Sequence, residues 1–156
     1  MFPEDTGAAV HLWLDGYRNS RFGRAVCPRL RDPSEDGTSR GAFFELEGDR
    51  VTWHLARGDV TFLVDDVDDE VIYGMAVTTG DYVHYAMVKR YLTNDEKADG
   101  LLMLLGDRLA RAVPYTSDLL DLRRVLGTLP DGWYLDGGWY FREMRREMEH
   151  ARSSAA

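Results

Sequence analysis

Between Val60 and Leu105 the spacing of apolar residues changes from a period of two to one near 3.6 with no linker between. Val60 to Val64 and Val71 to Val77 read as strands, joined by the acidic turn Asp65 to Glu70. A third strand, Tyr82 to Lys89, follows the Thr79-Gly80-Asp81 turn and completes an antiparallel meander. Within it Val83, Tyr85 and Met87 alternate with polar or small residues, a pattern that Tyr91 continues. A helix then starts with Thr93 or Asn94 as N-cap and Glu96 or Lys97 at its third position. Leu101, Leu102, Leu105 and Leu109 carry it at helical spacing.

The flanks predict further elements. Asp5 or Thr6 caps a first helix whose apolar stripe is Val10, Trp13, Leu14 and Tyr17. Cys27 to Arg40 is rich in Pro, Gly, Ser and charge, and reads as an exposed loop over 27–40. Ala42 to Arg57 fits two patterns: Phe44, Glu47, Val51 and Leu55 suit a helix with one polar exception, whereas Val51, Trp53 and Leu55 alternate as in a strand. Ala112 to Thr116 is a short strand candidate, and Ser117 or Asp118 caps a helix that ends at Gly127. Trp133-Tyr134-Leu135 and Trp139-Tyr140-Phe141 flank Asp136-Gly137-Gly138 and read as an aromatic hairpin. A charged helix from about Arg142 to Arg152 closes the chain, and 153–156 is expected to be a flexible tail. This order predicts a single α+β (mixed α/β) domain over 1–156.

Composition narrows the function classes. The chain has 156 residues, 44% of them hydrophobic and 29% charged, the make-up of a globular domain with a real core. Its net charge of −8 argues against a nucleic-acid partner, whose phosphates need clustered Lys and Arg. No apolar run is long enough to cross a bilayer, and the N-terminus lacks the pattern of a secretory signal, so an intracellular address is expected. The single cysteine, Cys27, allows no internal disulfide and reads as a packing residue or an inert surface thiol. His11, His54 and His150 lie far apart, so no metal site is expected of them. The five carboxylates of Asp65 to Glu70 lack the ligand order and central Gly of a calcium loop, and read as a solvated turn.

Several segments in this order resemble the Gcn5-related N-acetyltransferase (GNAT) fold, and in particular a GNAT-like family of tailed phages and prophages. Trp13-Leu14-Asp15-Gly16-Tyr17-Arg18 is similar to that family's N-terminal S-W-L-x-S-Y-R helix. Val60 to Met75, with Val71-Ile72-Tyr73-Gly74 near its end, resembles its strand, acidic turn and I-Y-G-W strand. His84-Tyr85-Ala86-Met87-Val88-Lys89 resembles its H-Y-V-Y-V-K strand, and Val113-Pro114-Tyr115-Thr116 its V-x-Y-T strand. The resemblance implies a central, mostly antiparallel mixed sheet flanked by helices, and acetyl-CoA as the family's cofactor.

The family's cofactor loop reads F-R-x-x-G-I-A-x-x-L-L. Aligned without a gap from Lys89, its positions fall on Leu92, Thr93, Glu96, Lys97, Ala98, Leu101 and Leu102. The apolar frame survives, but Thr93 stands in place of the Arg and Glu96 in place of the Gly. By resemblance Met87, Val88, Thr93, Glu96, Lys97 and Ala98 are the positions that would face the cofactor. A glycine there lets the backbone approach the pyrophosphate, whose charge the helix N-terminus stabilises. Glu96 adds bulk and like charge, with Asp95 and Asp99 beside it. Acidic residues also suit the first turn of any helix.

If the chain is an enzyme, the resemblance places His84 and Tyr85 on the strand facing the acceptor, and Tyr115 near the thioester. An acetyltransferase needs a base for the acceptor amine and an acid for the leaving thiolate, and His84 suits the former. Packing of Tyr85 and a hydrogen-bonded, structural His84 is the competing expectation. Two functions follow. One is a degenerate GNAT-fold protein without cofactor, a binding or structural module whose partners are virion proteins, other proteins or further copies of itself. Its address would be the host cytoplasm or the virion. The alternative is an acetyl-CoA-dependent N-acetyltransferase acting on an amine.

Overall fold

A computed structural model describes residues 7–13, 48–49, 51–57, 60–115 and 120–156. The expected loop over 27–40, the cap at Asp5 or Thr6, Leu14, Tyr17 and the cap at Ser117 or Asp118 lie outside the described residues. The fold is mixed α and β, with one five-stranded sheet in the order β1-β2-β3-β4-β5. Its strands are β1 (Val60–Val64), β2 (Ile72–Thr79), β3 (Tyr82–Val88), β4 (Pro114–Tyr115) and β5 (Tyr134–Leu135). The first three form the expected antiparallel meander, and β4 and β5 then add in parallel. Parallel neighbours need a crossover, and α1 (Asn94–Leu105) supplies it between β3 and β4. The remaining labelled helices are α2 (Leu120–Leu126) and α3 (Trp139–Ala155).

Two hydrophobic clusters sandwich the sheet. On one side Ala76, Val83, Ala86 and Val88 pack with Leu101, Leu104, Leu105, Leu122 and Trp133. On the other Met75, Val77, Tyr85 and Met87 pack with Ala9, Trp13, Val51 and Leu55. Central strands covered on both faces become apolar throughout, and β3 is buried from Val83 to Val88. Met87 and Val88 accordingly point into different clusters.

Local chemistry explains several elements. Residues 51–55 are helical, which resolves the ambiguity of that segment: Val51, His54 and Leu55 share one buried face. The Thr52 hydroxyl donates to Gly48 O at 2.8 Å, satisfying a carbonyl one turn back. In α1 the buried stripe is Leu101, Leu104 and Leu105, while Leu102, expected inside, is exposed. From Leu101 the inward positions are three and four residues on, and Leu102 is turned about 100° away. Gly106, at φ +56°, ends the helix, and Leu109 falls in the 3₁₀ turn that follows, Gly106–Ala110.

The aromatic hairpin expected near the C-terminus does not form. Only Tyr134–Leu135 is a strand, parallel to β4, and Trp139-Tyr140-Phe141 open α3. Gly138 lies in the right-handed helical region, so the Asp136-Gly137-Gly138 turn feeds a helix instead of returning a strand. Arg142 N donates to Gly138 O, and the Arg142 guanidinium pairs with Asp136 at 2.5 Å. The helix runs through Ala155, so most of the tail expected over 153–156 is helical, and 151–156 are exposed. Farther along α3, Glu147 pairs with Arg57, which lies 3.2 Å over the Trp53 ring.

Two glycines let α1 approach the sheet. A Cβ on Gly74 would meet Met87 O at 2.7 Å, and one on Gly100 would meet the end of the Leu63 side chain at 2.9 Å. Backbone cannot yield as a leucine methyl can, and at Gly100 the better helix propensity of Ala offsets strain. Gly74→Ala is therefore expected to cost about 2 kcal/mol or more and Gly100→Ala less than about 1 kcal/mol, measured by urea denaturation.

Arg142, and to a lesser extent Tyr82, hold the Asp136 carboxyl below its usual value, and Arg57 does the same for Glu147. Depressed carboxylates stabilise the fold above their unfolded values, and that contribution is lost as pH falls through the folded ones. The double variant Asp136→Asn/Glu147→Gln should be less stable than wild type at pH 6. The gap should shrink as pH falls below the ordinary carboxylate range, in denaturation curves taken at each pH.

Candidate functional site

The loop between β3 and α1 holds the positions aligned with a phosphate cradle. Lys89 N donates to Tyr73 O at 2.8 Å, tying the end of β3 to β2, and the chain turns through Leu92. Thr93 is the N-cap, with φ −64° and ψ 163°. Its hydroxyl accepts from Glu96 N at 3.3 Å, and the Glu96 carboxylate accepts from Thr93 N at 2.7 Å. This is the reciprocal capping box expected when Thr and Glu stand three apart. Glu96 thus takes up backbone donor capacity at this helix start, and Asp95 adds charge to the first turn.

A cleft of about 720 Å³ opens beside this turn, between α1 and the ends of β1 and β2. Thr93, Glu96, Asp99 and Gly100 line its helix side, and Asp65, Asp66 and Tyr73 its sheet side. Tyr91 and Met103 complete its rim, and among the described residues no Lys or Arg lines it. Lys97 and Ala98, half-buried, are not part of the wall, nor are the core residues Met87 and Val88. Of the six cofactor positions implied by the family, the cleft therefore gathers only Thr93 and Glu96.

The acidic turn is organised by its own backbone. Asp65 Oδ1 accepts from Val67 N at 2.9 Å and Asp68 N at 3.1 Å, and the Tyr73 hydroxyl donates to Asp65 Oδ2 at 2.7 Å. The Tyr73 bond first, then the two backbone bonds, hold the Asp65 carboxyl below the ordinary range, and the same bond pushes the Tyr73 hydroxyl up. Among the described residues no group of three or more His, Cys, Asp or Glu is arranged to hold a metal ion.

His84 lies in an irregularity of the sheet. Val77 pairs with Tyr85 and Thr78 with Val83, so His84 is the extra residue of a β-bulge. The side chains of His84 and Tyr85 consequently share a face instead of alternating. His84 is wholly buried; its Nε2 lies 2.9 Å from Thr79 Oγ1. Its ring sits 4.4 Å from that of His54 and 4.3 Å from that of Trp139. Tyr85 stacks on Trp13 at 5.0 Å. Tyr115 belongs to the opposite cluster, near Trp133. The structure therefore does not bring His84 and Tyr115 together.

Sequence reasoning missed His54 and Trp139 as partners of His84. The helical spacing of Val51, His54 and Leu55 was a signal for the first; the bulge left none.

Comparison with family models, with curated proteins and with solved structures finds no match to this chain. Among the described residues, no helix is long and apolar enough to cross a membrane.

The capping box can be tested by substitution. Thr93→Ala should cost about 1 kcal/mol, whereas Glu96→Gln, which can still accept from Thr93 N, should cost a few tenths, both read from urea denaturation midpoints.

Proposed function

We propose that this chain is a GNAT-fold protein that no longer uses acetyl-CoA and works as a non-catalytic binding or structural module. A phage particle or its assembly is the setting that the family resemblance implies. The observation that carries this reading is the capping box at Thr93 and Glu96. A GNAT-like cradle needs free helix N-terminal donors and room for a pyrophosphate. Here the Glu96 carboxylate accepts from the turn, and the adjoining cleft offers three more carboxylates of the wrong sign: Asp65, Asp66 and Asp99. The order of an antiparallel meander, a crossover helix and a parallel strand is consistent with the fold proposed. Among the described residues β3 and β4 meet through the pair Val83 and Tyr115.

The acetyltransferase alternative needs a base in contact with the acceptor. His84 is wholly buried under Trp139 and beside His54, out of reach of an amine from solvent. Tyr115 packs in the other cluster.

Calorimetric titration with acetyl-CoA decides between the two. No saturable heat is expected with the wild-type chain, and micromolar binding would sink the reading. The double variant Thr93→Arg/Glu96→Gly restores the family's residues at those positions. It should gain measurable affinity for acetyl-CoA if carboxylate bulk and charge are what exclude it.

A further inference from the structure

The cleft beside α1 combines negative charge with exposed apolar surface. Asp66, Glu96 and Asp99 line it, and Asp65 is kept anionic by the Tyr73 hydroxyl and two backbone N–H groups. At its mouth Tyr91 and Met103 are 66% and 73% exposed and so accessible to a partner. The rings of Tyr73 and Tyr91 meet edge to face, 6.5 Å apart, and form an aromatic corner of the cleft. Tyr91 already attracts a cation: Lys89 Nζ lies 5.8 Å from its centroid, although Lys89 is not a wall of the cleft. An aromatic face with carboxylates around it suits an ammonium or guanidinium group.

We propose that this cleft docks a basic segment of a partner protein, with a Lys or Arg side chain entering between Tyr91 and the carboxylates and flanking apolar residues resting on Met103. Charge complementarity argues for this occupant: among the described residues the walls contain four carboxylates and no cation, on a chain of net charge −8. The apolar rim argues for a polypeptide over an inorganic ion, because a hydrated ion gains nothing from Tyr91 and Met103. The carboxylates do not converge as metal ligands among the described residues. The inference deepens the binding-module reading by naming what the altered loop would hold in place of an anion.

The experiment is fluorescence anisotropy of a labelled Leu-Lys-Leu-Lys-Leu peptide with the full chain at low salt, beside the same peptide with both lysines acetylated. Saturable binding with Kd on the order of 100 μM is expected, and at least tenfold weaker binding of the acetylated form. Glu96→Gln/Asp99→Asn should weaken binding about fivefold, with the capping box kept by Gln, and Tyr91→Ala about threefold. Asp131→Asn/Glu149→Gln, at exposed carboxylates outside the cleft, should leave it unchanged. Absence of saturable binding up to about 1 mM would overturn the proposal. So would an equal loss in the control pair, which marks general attraction to an acidic surface, or no effect of Tyr91→Ala. Acetyl-CoA is titrated in parallel: its binding alone defeats the binding-module reading, and failure of the peptide arm alone defeats the docking site.

Discussion

The central strands β2 and β3 are covered on both faces, and the other elements are arranged to satisfy that constraint. A strand buried on one face needs one layer of helices; these need two, and the chain supplies α1 and α2 on one side and residues 7–13 and 51–55 on the other. Close approach on the α1 side depends on Gly74 and Gly100, where no Cβ fits without displacing Met87 O or the Leu63 side chain. The bulge at His84 meets the same constraint differently. It switches the phase of β3, so that Val83 serves one cluster and Tyr85 the other, with His84 packed against His54 and Trp139.

Charge is arranged as economically as apolar surface. Carboxylates gather where backbone donors would otherwise be unsatisfied: Asp65 in its turn and Glu96 at the start of α1. Each stabilises local structure, and together they make one end of the sheet hostile to an anion. A fold built around a phosphate cradle would leave those donors open. Here the stability of the loop and its proposed change of ligand have the same cause, the carboxylate at position 96.

The strands and helices with strong local signals were legible in the sequence. β1 falls on the predicted Val60 to Val64, and the Thr93 to Glu96 capping box is visible as two letters three apart. The failures share a different cause. Trp139-Tyr140-Phe141 have strand-forming side chains, but the backbone of Gly138 and the Asp136 to Arg142 pair start a helix. Leu102 was expected inside because leucines on a helix look alike until the sheet fixes which side faces it. For His84 the structural expectation agrees with its hydrogen-bond contact to Thr79, but the single-residue bulge that buries it leaves no mark in composition.

Sequence alone determined where the periods change, which turn is acidic, and that a Glu stands in the first turn of the central helix, because each depends on neighbours a few residues away. Tertiary structure decided which faces those elements bury, the burial of His84 beside His54 and Trp139, and the separation of His84 from Tyr115. It also gathered Asp65 and Asp66 with Glu96 and Asp99 around one cleft. Those outcomes depend on contacts between residues far apart in the chain, and local periodicity carries no information about such distances.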